Sequence, residues 1–269
     1  MGAEGFDADN DHVDVERDGA VGRVTMNRPA ASNAVDELMA GGLRDAVIEL
    51  TESDDDVRCV VLTGTDGWFS TGADLTTLAG DETDGRRLRA LASRIHAAVK
   101  HMATAPKPVI AGVNGTAAGA GFGLAMAADL VVVSADASFE FAYPRLGLSG
   151  DAGITYRLPE LVGHRRAREI ALLDEPIDAE RAVEMGLATE AVSSASFENR
   201  VDDLASELAS GPTRALGATK RLIENSHGRS FEEHLQAETD TIARLAGTDD
   251  YERGYDAFFE DHEPEFRGE

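Results

Sequence analysis

Small residues fill the stretch from Val113 to Gly123, which reads Val-Asn-Gly-Thr-Ala-Ala-Gly-Ala-Gly-Phe-Gly. The apolar run 108–113 predicts a buried strand, and the small-residue run 121–128 predicts a tightly packed helix. A glycine-rich junction between strand and helix lets a ligand approach the backbone closely. The first amides of such a helix have no partner within the helix, so they can donate to an anion or to a developing oxyanion.

Two other interpretations of this stretch stay open at this point. The small residues can serve only to let a helix pack against a sheet. The run Gly119 to Gly123 also looks like a dinucleotide-binding turn, but Leu124 breaks the full glycine spacing and the turn does not follow a first strand.

The composition describes an acidic protein with a sizeable core. The chain has 269 residues, is 42% hydrophobic and carries a formal net charge of -25, with Lys100, Lys107 and Lys220 as its only lysines. Such an excess of carboxylates argues against a nucleic-acid surface and favours a salt-rich cytoplasm, where salt screens the self-repulsion. We therefore expect a halophilic source, and full stability without salt would contradict that expectation.

Other bulk features point to a cytoplasmic location. No apolar run approaches the length of a membrane span, and the N-terminus lacks a charged start followed by an apolar stretch, so we expect no membrane partner. The lone Cys59 lies in an apolar run and is interpreted as a core residue. His96 and His101 are expected to be solvated, and no His, Cys and Asp cluster has the spacing of metal ligands.

The order of predicted elements indicates an α/β fold. Residues 1–11 are polar and acidic, and we expect no regular structure there. The alternating runs 12–17 and 21–26 around a turn at Asp18 and Gly19 predict a hairpin. A strand–helix core is predicted to about residue 195, with a helical region over 196–269. The predicted helices include 35–50, 84–103, 119–128, 151–161, 164–173, 195–209, 213–225, 231–246 and 249–261.

Three motifs stand in order along the chain. They are Val-Thr-Met-Asn-Arg-Pro at 24–29 with Asn-Ala at 33–34, Leu-Thr-Gly at 62–64 with Trp-Phe-Ser-Thr-Gly-Ala-Asp-Leu at 68–75, and the stretch 113–123 followed by Ala-Asp-Leu at 128–130. In this order and spacing the chain resembles the crotonase superfamily, also called the enoyl-CoA hydratase/isomerase family. The resemblance implies a spiral of repeated strand–strand–helix units, a C-terminal helical trimerisation region, and a homo-trimer or hexamer. It also implies acyl-CoA substrates, with no cofactor beyond the coenzyme A of the substrate.

The resemblance assigns two backbone amides to an oxyanion hole. They map to Ala73 and to Ala120, where the family usually has glycine, so a methyl group must be accommodated. Enolising a thioester places negative charge on its oxygen, and each preorganised donor stabilises that charge by roughly 3–4 kcal/mol. Asp74 can also be only the N-cap of a following helix.

The resemblance also places residues near coenzyme A or the acyl group. Arg28 is expected near the phosphates, and Phe258 and Phe259 are expected to close the acyl pocket of the same or a neighbouring subunit. The full set is Arg28, Ala34, Thr71, Gly72, Asp74, Leu75, Gly119, Tyr143 and Phe258.

The acid/base positions depart from the hydratase pattern. Family hydratases use two glutamates to activate water, and these positions map to Gly123 and Tyr143, neither of which is acidic. Glu140 alternates with two phenylalanines and is interpreted as pointing away from the apolar side. Asp151 instead matches an aspartate that dienoyl-CoA isomerases, 4-chlorobenzoyl-CoA dehalogenases and ring-1,2-epoxyphenylacetyl-CoA isomerases use.

The resemblance therefore predicts an isomerase that works through an enolate, with Asp151 as its acid/base group. An ordinary N-cap is the structural alternative for Asp151. A 2-enoyl-CoA hydratase is the competing enzyme, and a non-catalytic acyl-CoA binder is the competing function from another class.

Overall fold

The computed structural model describes residues 12–269, so the prediction for residues 1–11 lies outside the described residues. Its larger sheet has six strands in the order β1-β2-β3-β5-β7-β10, and only the β1–β2 pair, the predicted hairpin, is antiparallel. These strands are β1 (Val13–Asp18), β2 (Val21–Met26), β3 (Cys59–Gly64), β5 (Val109–Val113), β7 (Leu130–Ser134) and β10 (Glu190–Val192).

The second, smaller sheet has four strands, and each of its first three strands comes directly after a strand of the larger sheet in the chain. Its order is β4-β6-β8-β9, with β4 (Trp68–Ser70), β6 (Thr116–Ala118), β8 (Ser138–Glu140) and β9 (Ile177–Asp178). The chain therefore alternates between the sheets, placing β3 and β4, β5 and β6, then β7 and β8 before successive helices. This repetition is the strand–strand–helix pattern that the sequence predicts.

The helices agree with the predicted ones except at some ends. They are α1 (Glu37–Ile48), α2 (Asp84–Thr104), α3 (Ala120–Met126), α4 (Ile154–Leu173), α5 (Ala179–Met185), α6 (Phe197–Ser210), α7 (Thr213–Glu224), α8 (Phe231–Leu245) and α9 (Asp249–Glu260). The predicted start at residue 151 is wrong because Ala152 and Gly153 adopt left-handed conformations, with φ of +49° and +76°. The predicted break between 161 and 164 corresponds to Gly163, whose φ of 75° and ψ of 154° interrupt α4.

The core has two parts, on opposite faces of the larger sheet. The main cluster includes Met26, Phe69, Phe122 and Phe139, all fully buried. The second cluster joins Cys59, a core residue as expected, to α6. α6 belongs to the predicted helical region 196–269, yet it packs directly on the larger sheet. The division of the chain near residue 195 stays a prediction.

The C-terminal helices are tied to the core by buried charges. Lys220 on α7 donates to the carboxylate of Asp129 at 2.7 Å and to the carbonyl of Met102 at 2.7 Å. Arg58, next to β3, donates to the carbonyl of Phe266 at 3.1 Å. Asp250 accepts backbone hydrogen bonds from Arg267 and Gly268, each at 2.7 Å, so the last residues lie against the body of the protein.

Candidate active site

Two segments of the predicted oxyanion hole lie against each other. A Cβ atom at Gly72 would lie 2.8 Å from the carbonyl oxygen of Ala118 and 3.2 Å from the amide nitrogen of Ala120. Gly72 has a φ of +87° and Gly119 a φ of +54°, both favourable only to glycine. The glycines of the two motifs are therefore required for the close approach of the segments.

The amides of Ala73 and Ala120 are available as donors. Backbone bonds on both sides of Ala73 hold it, because the Val35 amide donates to Gly72 at 2.7 Å and the Asp74 amide donates to Val35 at 2.9 Å. Ala120 is the first residue of α3, so its amide has no acceptor within the helix. Within residues 12–269 neither amide has a hydrogen-bond acceptor. The methyl group of Ala120 is accommodated, since this residue is only 3% exposed and belongs to the main core cluster.

Asp151 is held by a tyrosine. The hydroxyl of Tyr143 donates to Oδ1 of Asp151 at 2.5 Å, while Oδ2 has no hydrogen-bond partner in the described part of the chain. The N-cap of α4 is Gly153, without a capping side chain, so the interpretation of Asp151 as an ordinary N-cap is wrong. The Asp151 carboxylate is instead part of a polar pair on the wall of a cavity.

Tyr143 is a neutral donor in this pair. Burial raises the pKa of Tyr143 well above its usual value, and the neighbouring Asp151 raises it further. Its ring packs on Phe141 with a centroid distance of 5.0 Å. It also lies next to the oxyanion segment, because a Cβ atom at Gly119 would be 3.9 Å from its Cζ. Tyr143 thus bridges the predicted oxyanion hole and the carboxylate.

Position 123, where the resemblance places a hydratase glutamate, has no room for a side chain. A Cβ atom at Gly123 would lie 2.6 Å from both the Cβ and the carbonyl oxygen of Ala152. A Cβ atom does not approach non-bonded atoms this closely, so any larger residue would displace the turn that carries Asp151. The glycine at 123 and the aspartate at 151 are therefore coupled by packing.

A cavity of about 740 Å³ brings most of the predicted site together. Apolar side chains of α2 and of the loop after Tyr143 complete its walls, including Leu88, Ala92, Leu146 and Leu148. The predicted site residues that line it are Thr71, Gly72, Ala73, Leu75, Gly119, Ala120, Tyr143 and Asp151. The other four, Arg28, Ala34, Asp74 and Phe258, do not.

Arg28 and Asp74 do not line the cavity, but they stabilise the segment that carries Ala73. Arg28 donates to the carboxylate of Asp74 at 2.6 Å and to the carbonyl of Ala34 at 3.0 Å. Burial opposes the ionisation of Asp74, but hydrogen bonds from Thr76 and Arg28 outweigh it and lower its pKa below the usual value. Asp74 also caps the short 3-10 turn 75–77 through the Thr76 amide, so the capping interpretation is confirmed. Contact between Arg28 and the phosphates of coenzyme A stays a prediction.

Phe258 lies away from this cavity. It is 80% exposed and lines a smaller apolar cavity of about 440 Å³, together with Leu245 and Tyr255. The prediction that it closes the acyl pocket of its own subunit is therefore wrong, because α9 does not reach that cavity. Closure of a neighbouring subunit's pocket stays a prediction.

Sequence reasoning missed several residues of the cavity wall. Glu140 does point away from the core, as expected, but the opposite face of β8 is the wall of the cavity. There Arg145 donates to Glu140 and to Asp174, each at 2.6 Å. The alternation of Glu140 with Phe139 and Phe141 contains a signal for this position. Because the two phenylalanines point into the core, the Glu140 side chain must point to the other face of the strand. Trp68, at the edge of β4, also lines the wall.

Residues 12–269 contain neither a candidate metal cluster nor a candidate membrane span. No group of three or more His, Cys, Asp or Glu side chains there could hold a metal ion. No helix in that range is long and apolar enough to cross a membrane.

Comparisons with known proteins identify the family of this chain. The sequence model of the family Enoyl-CoA hydratase/isomerase matches residues 16–269. The chain is 36% identical to 1,2-epoxyphenylacetyl-CoA isomerase of Escherichia coli (strain K12), over 91% of this chain and 94% of the relative. It is 37% identical to a probable enoyl-CoA hydratase of Rhodobacter capsulatus, over 91% of this chain and 93% of that one.

A solved structure of the same family has the same fold. The crystal structure of an enoyl-CoA hydratase from Bacillus anthracis superimposes with a TM-score of 0.90 at 30% identity, covering 96% of this chain and all of that one. The predicted α/β spiral with C-terminal helices is thereby confirmed. The chain belongs to the enoyl-CoA hydratase/isomerase family.

Proposed function

We propose that this enzyme isomerises an acyl-CoA thioester by shifting a double bond. Oδ2 of Asp151 takes a proton from C2 of a 3-enoyl thioester, and the electron pair moves to the thioester oxygen. The amides of Ala73 and Ala120 donate to that oxygen. The same carboxyl group returns the proton at C4, which leaves a 2-enoyl thioester and an unchanged enzyme without any further cofactor.

One observation carries this proposal: the Asp151 carboxylate lines the cavity with one oxygen bound by Tyr143 and the other without a hydrogen-bond partner among residues 12–269. A single carboxylate suffices for a 1,3 proton shift, because the group that takes the proton is the one that returns it. Tyr143 fixes the orientation of the carboxylate and leaves Oδ2 for the substrate. Leu88, Leu146 and Leu148 in the same cavity offer apolar contact to an acyl chain next to this carboxylate.

Hydration of a 2-enoyl-CoA is the alternative within the family, and relatives carry both kinds of name. Water addition by the two-carboxylate mechanism would require acidic groups at positions 123 and 143. Packing against Ala152 leaves no room at Gly123, and burial keeps Tyr143 protonated. These two facts favour isomerisation. A non-catalytic acyl-CoA binder is less favoured, because it would have no use for an oriented, unpartnered carboxylate oxygen.

The proposal extends to the assembly and its location. Exposed aromatic side chains on α8 and α9, among them Phe231, Phe258 and Phe259, support a homo-trimer or hexamer formed by the C-terminal helices. The net charge of -25 supports a location in a salt-rich cytoplasm. Coenzyme A would enter beside Thr71 to Leu75, with Arg28 near its phosphates.

The test is incubation of the wild type and Asp151→Asn with 3-enoyl-CoA, 2-enoyl-CoA and epoxyphenylacetyl-CoA in deuterated water. The amide keeps the shape of the side chain but removes the base, and such bases are worth about 10² to 10⁴ in rate. We expect a loss of that size in deuterium uptake at the acyl carbon, with little change in thermal stability. Asp203→Asn, an exposed aspartate on α6, makes the same charge change as a control. Brisk hydration of crotonyl-CoA that survives Asp151→Asn would refute the isomerase proposal.

A further inference from the structure

The turn that presents Asp151 is held by a side chain from a distant helix. The backbone amide of Ala152 donates to Nε2 of His96 on α2 at 3.1 Å, a contact between residues 56 positions apart. Ala152 is only 1% exposed, so in the folded protein His96 is the acceptor that satisfies this buried amide. A backbone N–H can only donate, so Nε2 of His96 is the acceptor in this contact.

This contact stabilises a backbone conformation that the sequence does not favour by itself. Ala152 has a φ of +49°, which is unusual for a residue with a Cβ atom. Its methyl group is confined by Gly123 on α3. The turn is thus held from two sides, by packing against α3 and by the hydrogen bond to α2, while Asp151 itself is held by Tyr143.

The helix that supplies His96 also lines the acyl cavity. Leu88 and Ala92 face the cavity, and His96 follows at the next step of four residues on the same side of α2. One helix face therefore contacts the space for the acyl group and holds the base that acts on it. His96 itself is exposed, so its loss removes little apolar burial.

We propose that His96 is a positioning residue for Asp151. It acts through the Ala152 amide and keeps the carboxylate between Tyr143 and the cavity. It is not itself the base, because its acceptor nitrogen is already occupied. This inference rests on the proposed isomerase function, in which a small displacement of the carboxylate lowers the rate of proton transfer.

The test compares His96→Ala, His96→Gln and the control Lys100→Ala, one turn further along α2. His96→Ala is expected to lower kcat for deuterium exchange at the acyl carbon about ten- to hundredfold, with KM changed less than about twofold. His96→Gln should recover most of the rate, since its side-chain oxygen can accept the Ala152 hydrogen bond. Lys100→Ala should behave as the wild type. An unchanged kcat in His96→Ala, or a loss that Gln does not restore, would overturn the proposal.

A second measurement separates this inference from the proposed function. Amide hydrogen exchange, read from peptides that cover residues 150–154, reports the Ala152 hydrogen bond without any substrate. We expect faster exchange of one amide in His96→Ala and wild-type protection in Lys100→Ala. An inactive wild type with this exchange pattern would refute the isomerase function alone. Equal protection in the wild type and His96→Ala would refute the role of His96 whatever the enzyme catalyses.

Discussion

Two regions of the molecule leave large apolar side chains exposed, and they differ in what stands beside them. In the cavity, Leu75, Leu146 and Leu148 are partly exposed around the oxyanion segments and Asp151. On the C-terminal helices, Phe231, Ile242, Phe258 and Phe259 are more exposed than these leucines. The first region is a cavity with converging polar groups, whereas the second is an aromatic surface on α8 and α9, which includes the smaller apolar cavity beside Phe258.

The difference indicates two kinds of binding partner, a small molecule in the cavity and a protein on the aromatic surface. A concave apolar site with a few converging polar groups is typical of small-molecule binding, and here those groups are two amides and a carboxylate. A contiguous apolar surface on helices is typical of an interface between proteins. The two predicted oxyanion amides and Asp151 converge within one chain, and we expect a second copy of the chain to cover the aromatic surface.

A large effect on both stability and rate is expected from a substitution at the contact between α3 and the turn that carries Asp151. In Gly123→Ala the new methyl group would lie 2.6 Å from Ala152, so the turn must shift. We expect a loss of about 1–3 kcal/mol in unfolding free energy, as in other overpacked cores. Deuterium exchange at the acyl carbon should fall at least as much as in His96→Ala. Denaturant unfolding and the exchange assay measure the two effects.

The matched control is Gly41→Ala in the interior of α1, where no atom lies within 4 Å of the new Cβ. Alanine favours helix over glycine by about 1 kcal/mol, so this variant should be as stable as the wild type or slightly more stable. If Gly123→Ala matched Gly41→Ala in stability and rate, the packing argument against a hydratase would lose its basis.

These residues also mark the limit of what the sequence predicts. Glycine at a strand–helix junction has a local meaning, so the stretch 113–123 by itself predicted a turn whose amides face a ligand, whereas the role of the motif 68–75 was predicted only from the resemblance. The contacts of Ala152 with Gly123 and His96 could not be predicted, because they join residues from separate elements across the fold. The position of Glu140 in the cavity wall could not be predicted either. The alternation predicted that its side chain points away from the core, but not that a cavity lies on that side. The placement of Phe258 in the acyl pocket of the same or a neighbouring subunit could not be decided from the sequence, because the position of α9 depends on the packing of the whole C-terminal region.

A smaller effect is expected from Tyr143→Phe, which removes the hydroxyl that orients Asp151 and keeps the ring. A hydrogen bond to a charged group contributes about 1.5–3 kcal/mol, so the exchange rate should fall by about ten- to hundredfold if that energy orients the base. KM should change little, because the ring still lines the cavity.

The pH profile sharpens this prediction. The pKa of Tyr143 is raised well above the usual value of about 10, so the wild type should show no loss of rate from tyrosine ionisation near that pH. A decline in kcat near pH 10 that Tyr143→Phe abolishes would show that the tyrosine ionises there, and the neutral donor assigned to it would then be wrong.

The smallest effect on chemistry is expected at the aromatic surface. Phe258→Ser combined with Phe259→Ser should weaken the proposed oligomer, because the two rings form an edge-on pair 5.3 Å apart that water otherwise surrounds. Light scattering at high salt should show dissociation with lowered protein concentration, while the rate on a short acyl-CoA changes less than in any variant above. If the aromatic surface of one subunit covers the acyl cavity of another, the preference between long and short acyl chains should shift along with dissociation. Leu172→Ser, which removes a similarly exposed side chain at the end of α4, should leave the assembly intact. A monomeric wild type would contradict the interface, and the exposed aromatic rings would then call for a different partner.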